Sequence, residues 1–429
     1  MKFNRRLFIK SGIGAGILAV HGTPYGAAQG CSSAAEPVKT TLTQLDKAAA
    51  APVLNISSTK SPVKIASIEL LRNQNNFFIR TKSTDGAVGV AVTNSRAAYL
   101  YPILQQLVIP YFIGKDARDL ESLIDGVYVY RSNYKLSGLA LWCCVAWVEF
   151  SLLDLLGKIE GKPVGELLGG VIRREIPIYV ASGNRHTTPQ EEVDILAKHI
   201  EQTGAGAIKF KVGGRMSNNA DSMPGRSEGL IRLVRKALGD KITIYADANG
   251  SYDCRKGTEI GKLMQDNNIN MFEEPCPFDH LEQTKCVADA LSIPISGGEQ
   301  ETSLRRFRWM VHNDAVQVVQ PDLHYNGGFI RAIRVARMAA EVRRPGAGRA
   351  GMSVIPHMSG DGVGYVDVLH FASCTPNIGD FQEYKGDIAQ TGTWYDPPLR
   401  LKNGAINVPT GPGLGIAAVC DLLKNAKSV

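Results

Sequence analysis

The chain of 429 residues is short of the features that most quickly fix a function. Its cysteines (Cys31, Cys143, Cys144, Cys254, Cys276, Cys286, Cys374 and Cys420) include no Cys-x-x-Cys pair and no regular spacing. That excludes a zinc ribbon and gives no disulfide framework, so most read as small buried apolar residues. Beyond a short N-terminal stretch no run reaches about 18 apolar residues, so no membrane span is expected. The 44 glycines follow no collagen-like period, and 44% hydrophobic with 21% charged residues is the composition of a folded chain. A basic body is missing too. Of the net charge of +7, residues 1–63 hold +5 (seven Lys/Arg against Glu36 and Asp46), which leaves +2 for residues 64–429. Nucleic-acid binding needs a larger basic footprint than that.

What is present begins with a targeting segment. Asn4-Arg5-Arg6-Leu7-Phe8-Ile9-Lys10 precedes the apolar stretch SGIGAGILAV. Paired arginines ahead of a short apolar core resemble a bacterial twin-arginine signal peptide, expected over residues 1–30 with cleavage after Ala27 or Ala28. The expected location is periplasmic. Lipid anchoring at Cys31 is not expected, because Gln29 fits such a site poorly. Residues 31–63, rich in Ser, Thr, Ala and Pro, read as a linker.

Two rhythms follow. Residues 64–175 run from alternating strands (VKIASIELL, NNFFIRTKS, AVGVAVT) to helices ending in ALWCCVAWVEFSLLDLLGK, an α+β order. From residue 176 strands and helices alternate through eight strands: 177–183, 207–213, 242–250, 270–275, 293–299, 315–322, 353–359 and 379–384. Eight strands with seven intervening helices predict an α/β fold, a TIM-like parallel barrel over 176–390 followed by a C-terminal segment 391–429.

The strand ends carry the chemistry. In order they hold Lys209 and Lys211, Asp247 and Asn249, Glu273 and Glu274, Glu299, Asp322, His357 and Glu383. Charged residues are poor strand formers and costly to bury unpaired, so their recurrence at one end of successive strands points to a shared site. Asp247, Glu273 and Glu299 offer three hard oxygen ligands from adjacent strands, which suits one Mg2+ with room for a substrate carboxylate. Glu274 faces the other way and supports the ligands from behind. Lys209 and Lys211 share a face, and each ammonium should depress the other toward a neutral base. Asp322 can hold His357 through one ring nitrogen, and Glu383 can protonate or hydrogen-bond an enolate oxygen.

Lys209-Phe-Lys211, Asp247-Ala-Asn249, Phe272-Glu273-Glu274-Pro275, Gly298-Glu299, Gln320-Pro321-Asp322, Pro356-His357 and Glu383-Tyr384 together resemble the enolase superfamily, and more closely its mandelate racemase subgroup. The resemblance spans residues 64 to about 420. It implies an α+β capping domain at 64–175, a (β/α)7β barrel, and a tail that returns to the cap. It assigns Asp247, Glu273 and Glu299 to magnesium, Lys211 as one base and the His357–Asp322 dyad as the other. It argues against the muconate-cycloisomerase subgroup, where a lysine belongs near Asp322.

The activity so implied is removal of the proton α to a carboxylate, giving an ene-diolate. Asn184, Arg185, His186, His324, Tyr325 and Asn326 follow strand ends and could receive hydroxyls, with Asn249, Arg185 and His324 as the named substrate contacts. They favour dehydration of a sugar acid to a 2-keto acid over racemisation or epimerisation of a 2-hydroxy acid. Loops at Arg72–Asn76 and Thr93–Arg96 are expected to choose the substrate. A non-catalytic periplasmic binding protein or a metal-dependent aldolase fits less well, since every base and ligand is present and the aldolase would want His ligands or a lone lysine. A literal Gly-x-Gly-x-x-Gly at 346–351 follows a helix and opens a strand, the wrong context for a dinucleotide loop, so no organic cofactor is expected. The expected partner is a small carboxylate, with no nucleic acid, and the chain is expected to form a homo-oligomer.

Overall fold

Why the first sheet forms is visible in its alternation. β1 (Ile65–Asn73), β2 (Asn76–Ser83) and β3 (Val88–Val92) make an antiparallel meander. Strand β14 (Lys427–Ser428) joins its edge, with Leu71 opposite Ser428. These strands belong to the computed structural model of the chain, which describes residues 40–56, 58–342, 351–359, 364–385, 394–395, 397–416, 423 and 425–429. The twin-arginine segment, Cys31, Cys420 and the glycine-rich stretch up to Ala350 lie outside the described residues.

Helices cover this sheet. α2 (Ala97–Ile103) and α3 (Ile109–Phe112) are joined through a π-helical turn at Leu104–Val108, between Pro102 and Pro110. α4 (Leu120–Gly126) leads to α5 (Leu139–Glu160), and α6 (Val164–Leu167) follows. α5 is long and apolar enough to cross a membrane, yet 89% of its most apolar window is buried inside the fold, so it serves as a core helix. Gly89 lets β3 lie against it, because a Cβ there would come within 2.0 Å of Ser151 O.

The second sheet is parallel. β4 (Glu175–Ala181), β5 (Ala207–Lys211), β6 (Thr243–Asp247), β7 (Met271–Glu273), β8 (Ile295–Gly297), β9 (Val318–Val319) and β10 (Ser353–Val354) pair in sequence, and β11 (Gln382–Tyr384) pairs with the far side of β4. β12 (Leu401–Lys402) and β13 (Ala405–Asn407) add antiparallel to the start of β4. The connecting helices are α7 (Pro189–Thr203), α8 (Arg226–Leu238), α9 (Cys254–Asp266), α10 (Leu281–Ala290), α11 (Leu304–His312), α12 (Phe329–Glu341) and α13 (Tyr365–Cys374).

The expected continuous closure is not formed. Between β10 and β11 the seam carries only the isolated parallel bridge Val354–Ile378. The last strands are shorter than the sequence suggests, because Pro321 and Pro356 supply no ladder donor and Gly298 (φ 109°) turns the chain away. Glu299, Asp322 and His357 therefore stand just past their strands.

Two further expectations are corrected. Residues 31–63 are not simply a linker, since α1 (Leu42–Ala50) forms there with a reciprocal Thr41–Gln44 cap. It buries Leu45 and pairs Asp46 with Arg308. The Ser/Thr-rich composition masked a capping box. Cys254 and Cys286 form a disulfide, their Cα atoms 5.9 Å apart on α9 and α10. A separation of 32 residues says nothing about pairing until the helices are adjacent, whereas Cys143, Cys144, Cys276 and Cys374 are buried thiols as expected.

Helix α12 is fixed to α5 by a buried carboxylate. Glu149 accepts from Phe329 N at 2.6 Å and Ile330 N at 3.0 Å, capping the helix. Gly328 (φ 105°) makes room, since a Cβ there would sit 1.7 Å from Glu149 Oε2.

Replacing Cys254 and Cys286 together by serine should lower the unfolding free energy by about 3–4 kcal/mol, the loop-entropy value for a bridge of this span. Denaturant unfolding with and without reductant checks this: wild type should respond to reductant and the double variant should not.

Candidate active site

Period two along the strands builds the site in two layers. The lower layer is an apolar cluster of Tyr179, Ala207, Tyr245, Met271, Val318 and Ile355. Two residues further along the chain stand Lys209, Asp247 and Glu273 on their strands, and Gln320 and His357 just past theirs. Side chains that point inward at one level must do so at the next, so a filled floor delivers a charged layer above it.

That layer is ordered by ion pairs. Lys209, 1% exposed, donates to Glu273 Oε1 at 2.9 Å and Oε2 at 3.0 Å, and lies 3.2 Å from Glu383 Oε1 and 3.9 Å from Asp247 Oδ2. Its Nζ stands 5.3 Å from the centre of the Tyr179 ring. Lys211 Nζ pairs with Asp247 Oδ2. Burial alone would lower Lys209, but Glu273, Glu383 and Asp247 outweigh it and hold the ammonium well above the ordinary lysine value. At Lys209 the expected depression by a neighbouring ammonium is overridden by these carboxylates.

Glu383 is governed by the same cations. Burial would raise it, but Lys209, Lys385 and His357 together hold it well below the usual carboxylate range. Glu383 Oε2 also accepts from Met358 N at 3.0 Å, which fixes its carboxylate toward Lys209.

On the opposite side His357 Nδ1 donates to Asp322 Oδ2 at 2.8 Å, which leaves Nε2 pointing at Glu299 Oε2, 3.4 Å away. Burial would depress the imidazole, but Glu299, Glu383 and Asp322 outweigh it and the opposing charge of Lys385, and its pKa is raised. Asp322 accepts through its other oxygen from Ser359 Oγ at 2.9 Å, and Ser359 accepts in turn from Asn94 Nδ2 at 3.2 Å. Asn94 belongs to the Thr93–Arg96 loop after β3, so a loop of the antiparallel sheet reaches the dyad. Arg96 donates to Tyr325 Oη at 2.8 Å beside it. Of the two loops expected to choose substrate, the Arg72–Asn76 loop makes no such contact among the described residues: Arg72 Nε donates to Gln74 O, at 2.7 Å.

Asp247, Glu273 and Glu299 each bring an oxygen within 4.8 Å of the others, all buried. This donor set fits magnesium: it is all oxygen, comes from three neighbouring strands, and carries negative charge that Lys209 and Lys211 only partly offset. Glu273 shows the deficit. Burial, with Asp247 and Glu299 as like charges, pushes it up to about 7 against the opposing lysines. Behind it Glu274 (φ 40°) is pushed well above the carboxylate range by burial and then by Glu299.

The substrate contacts expected from the sequence separate. Asn249 donates through Nδ2 to Asp247 Oδ2 at 3.2 Å and accepts from Arg185 Nη2 at 2.9 Å, so both reach the site's rim. His324 does not. It is 3% exposed, 3.4 Å from Asp367 Oδ2, with its ring edge-on to Phe150, and Asn326 is fully buried. Reasoning from sequence missed three contributors. Gln320 Nε2 donates to Glu273 Oε2 at 2.8 Å, and Ser359 backs the dyad. Lys385 Nζ lies 3.4 Å from His357 Nε2. Lys385 stands two residues after Glu383, just past β11, a spacing the sequence held; the other two depend on long-range contacts.

Comparisons with known proteins agree with this geometry. Residues 191–420 match the family described as enolase C-terminal domain-like, and residues 47–169 match the mandelate racemase/muconate lactonizing enzyme N-terminal domain. The chain is 27% identical over 317 residues to the arabinonate dehydratase of Saccharolobus solfataricus, covering 73% of this chain and 79% of that protein. It is 29% identical over 283 residues to the L-talarate/galactarate dehydratase of Salmonella typhimurium, covering 65% and 68%. The solved structure of a mandelate racemase/muconate lactonizing protein from Paracoccus denitrificans, complexed with magnesium, superposes with a TM-score of 0.76 at 25% identity, covering 86% of this chain and 99% of that one.

Magnesium should raise the melting temperature of the full chain, and Glu299→Gln, which removes one negative ligand, should weaken magnesium binding about tenfold or more. Calorimetric titration of wild type and variant with magnesium checks this; equal affinities would remove Glu299 from the ligand set.

Proposed function

The chain belongs to the enolase superfamily, in its mandelate racemase/muconate lactonizing enzyme branch, and we propose that it dehydrates a sugar acid to a 2-keto-3-deoxy acid through magnesium-dependent removal of the proton α to the carboxylate. The observation that carries this reading is the placement of two proton-transfer groups on different ligands of one metal cluster: Lys211 against Asp247 and His357 against Glu299. A substrate whose carboxylate sits at that cluster has its α-carbon between them. The dehydratase names of two relatives favour loss of a β-hydroxyl over return of a proton.

The residues then divide the work. Asp247, Glu273 and Glu299 would hold magnesium, which when bound would supply Lewis acidity toward the substrate carboxylate. Lys209, kept cationic by Glu273 and Glu383, stabilises the negative charge that develops on the carboxylate oxygens as the α-proton leaves. Lys211 accepts that proton from one side. His357, oriented by Asp322 and Ser359, presents Nε2 from the other side and protonates the departing hydroxyl. If His357 instead gives its proton to the α-carbon, the same pair racemises or epimerises.

The wider reading is a (β/α)7β arrangement over residues 176–390, a cap formed by residues 64–175, a returning segment 391–429, and a homo-oligomeric assembly. We read residues 1–30 as a twin-arginine signal that sends the folded enzyme to the periplasm. The Cys254–Cys286 disulfide supports an oxidising compartment.

Separate bases should give separable half-reactions. His357→Asn should abolish dehydration yet keep α-proton exchange in deuterium oxide on the epimer served by Lys211, whereas Lys211→Met should remove that exchange. Turnover of His357→Asn at the wild-type rate would refute the dyad.

Changing Arg5 and Arg6 to Lys together should leave the protein in the cytoplasm, because the address is read by a receptor rather than by charge. Fractionation of the producing cells reads this, and undiminished periplasmic recovery would overturn the export reading.

A further inference from the structure

Two guanidinium groups at the rim of the site lack the counter-charge their position calls for. Arg185 follows β4 and Arg215 follows β5, and their Nη2 atoms converge on a single acceptor, Asn249 Oδ1, at 2.9 Å and 3.2 Å. Arg185 also donates from Nε to Gly213 O at 3.1 Å. Among the described residues neither arginine forms an ion pair with a carboxylate, and the Nη1 of each makes no hydrogen bond. Arg226 nearby is different: it is buried and lies 3.8 Å from Glu192. Burial, and then Arg215 and Arg226 as like charges, outweigh the attraction of Asp247 and bring the Arg185 pKa down.

The backbone holds this arrangement in place. Arg215 (φ 58°) and Met216 (φ 50°) both adopt the left-handed region, which is uncommon for residues other than glycine. They are kept there by Arg215 N donating to Ser251 Oγ at 3.0 Å and Met216 N to Asn249 O at 3.0 Å. Strained backbone pinned from two sides is characteristic of ligand clamps. The two arginines line an open groove of about 560 Å³ with Asn184, His186 and Thr187. Through Asn249 each is two hydrogen bonds from Asp247, the proposed metal ligand that also pairs with Lys211.

We infer that Arg185 and Arg215 bind the distal carboxylate of the substrate, so that the enzyme acts on a sugar diacid (an aldarate) and not on the matching monoacid. This rests on the sugar-acid reading above and names its substrate class. A planar carboxylate matches the guanidinium forks and relieves the repulsion between them. The hydroxymethyl end of a monoacid would leave both charges uncompensated.

The test uses the full chain with magnesium and matched pairs, galactarate against galactonate and glucarate against gluconate, reading 2-keto acid formation and α-proton exchange. The diacid of a productive pair should be favoured by about tenfold or more in kcat/KM. Arg215→Met should collapse that ratio mainly through the diacid KM, with Arg215→Lys, a point charge without the fork, falling between. Equal turnover of diacid and monoacid, or an equal loss on both in Arg215→Met, would overturn the subsite. If no acid sugar exchanges its α-proton, the sugar-acid reading fails instead. The subsite is then decided by calorimetric titration of galactarate and galactonate into wild type and Arg215→Met: selective loss of galactarate binding supports it, and no difference overturns it.

Discussion

A single ammonium group, Lys209, makes the centre of this molecule possible. It sits where Glu273, Glu383 and Asp247 would otherwise face one another across a space closed to water. Buried like charges at such distances are unfavourable by several kcal/mol unless a cation intervenes. With Lys209 between them the carboxylates stay close enough to serve one ion. Its ammonium stands over the Tyr179 ring, so the packed floor and the charged layer meet at one residue.

Much of this could be read from the chain because strands alternate. An acid or lysine at the end of an apolar strand has no structural reason to be there, and Asp247, Glu273, Lys209 and Lys211 showed that in sequence. The roles were less legible than the positions. Whether Glu383 is an acid or an anion depends on Lys209, Lys385 and His357 arriving from other elements. His324 looked available because it follows a strand, but Asp367 and Phe150 enclose it. The Cys254–Cys286 bond and the short ladder at β9 and β10 also follow from neighbours distant in sequence and from prolines whose missing donors interrupt the pairing.

Arginine chemistry was legible only as types. Arg185 could be taken for a substrate contact from its place after β4, whereas Arg215 sits in a loop with no pattern. Only the fold brings both to Asn249 and shows that one amide oxygen is shared by two cations.

The hydrogen-bonded run from Asn94 through Ser359 and Asp322 to His357 joins a loop of the antiparallel sheet to the imidazole. Diversification of that loop cannot be a free choice. A mutation that reshapes the entrance near Asn94 for a new molecule also retunes the imidazole's tilt and its hold on a proton. Lineages exploring new substrates through this loop would be confined to variants that still offer Ser359 a donor, so recognition and turnover would evolve together.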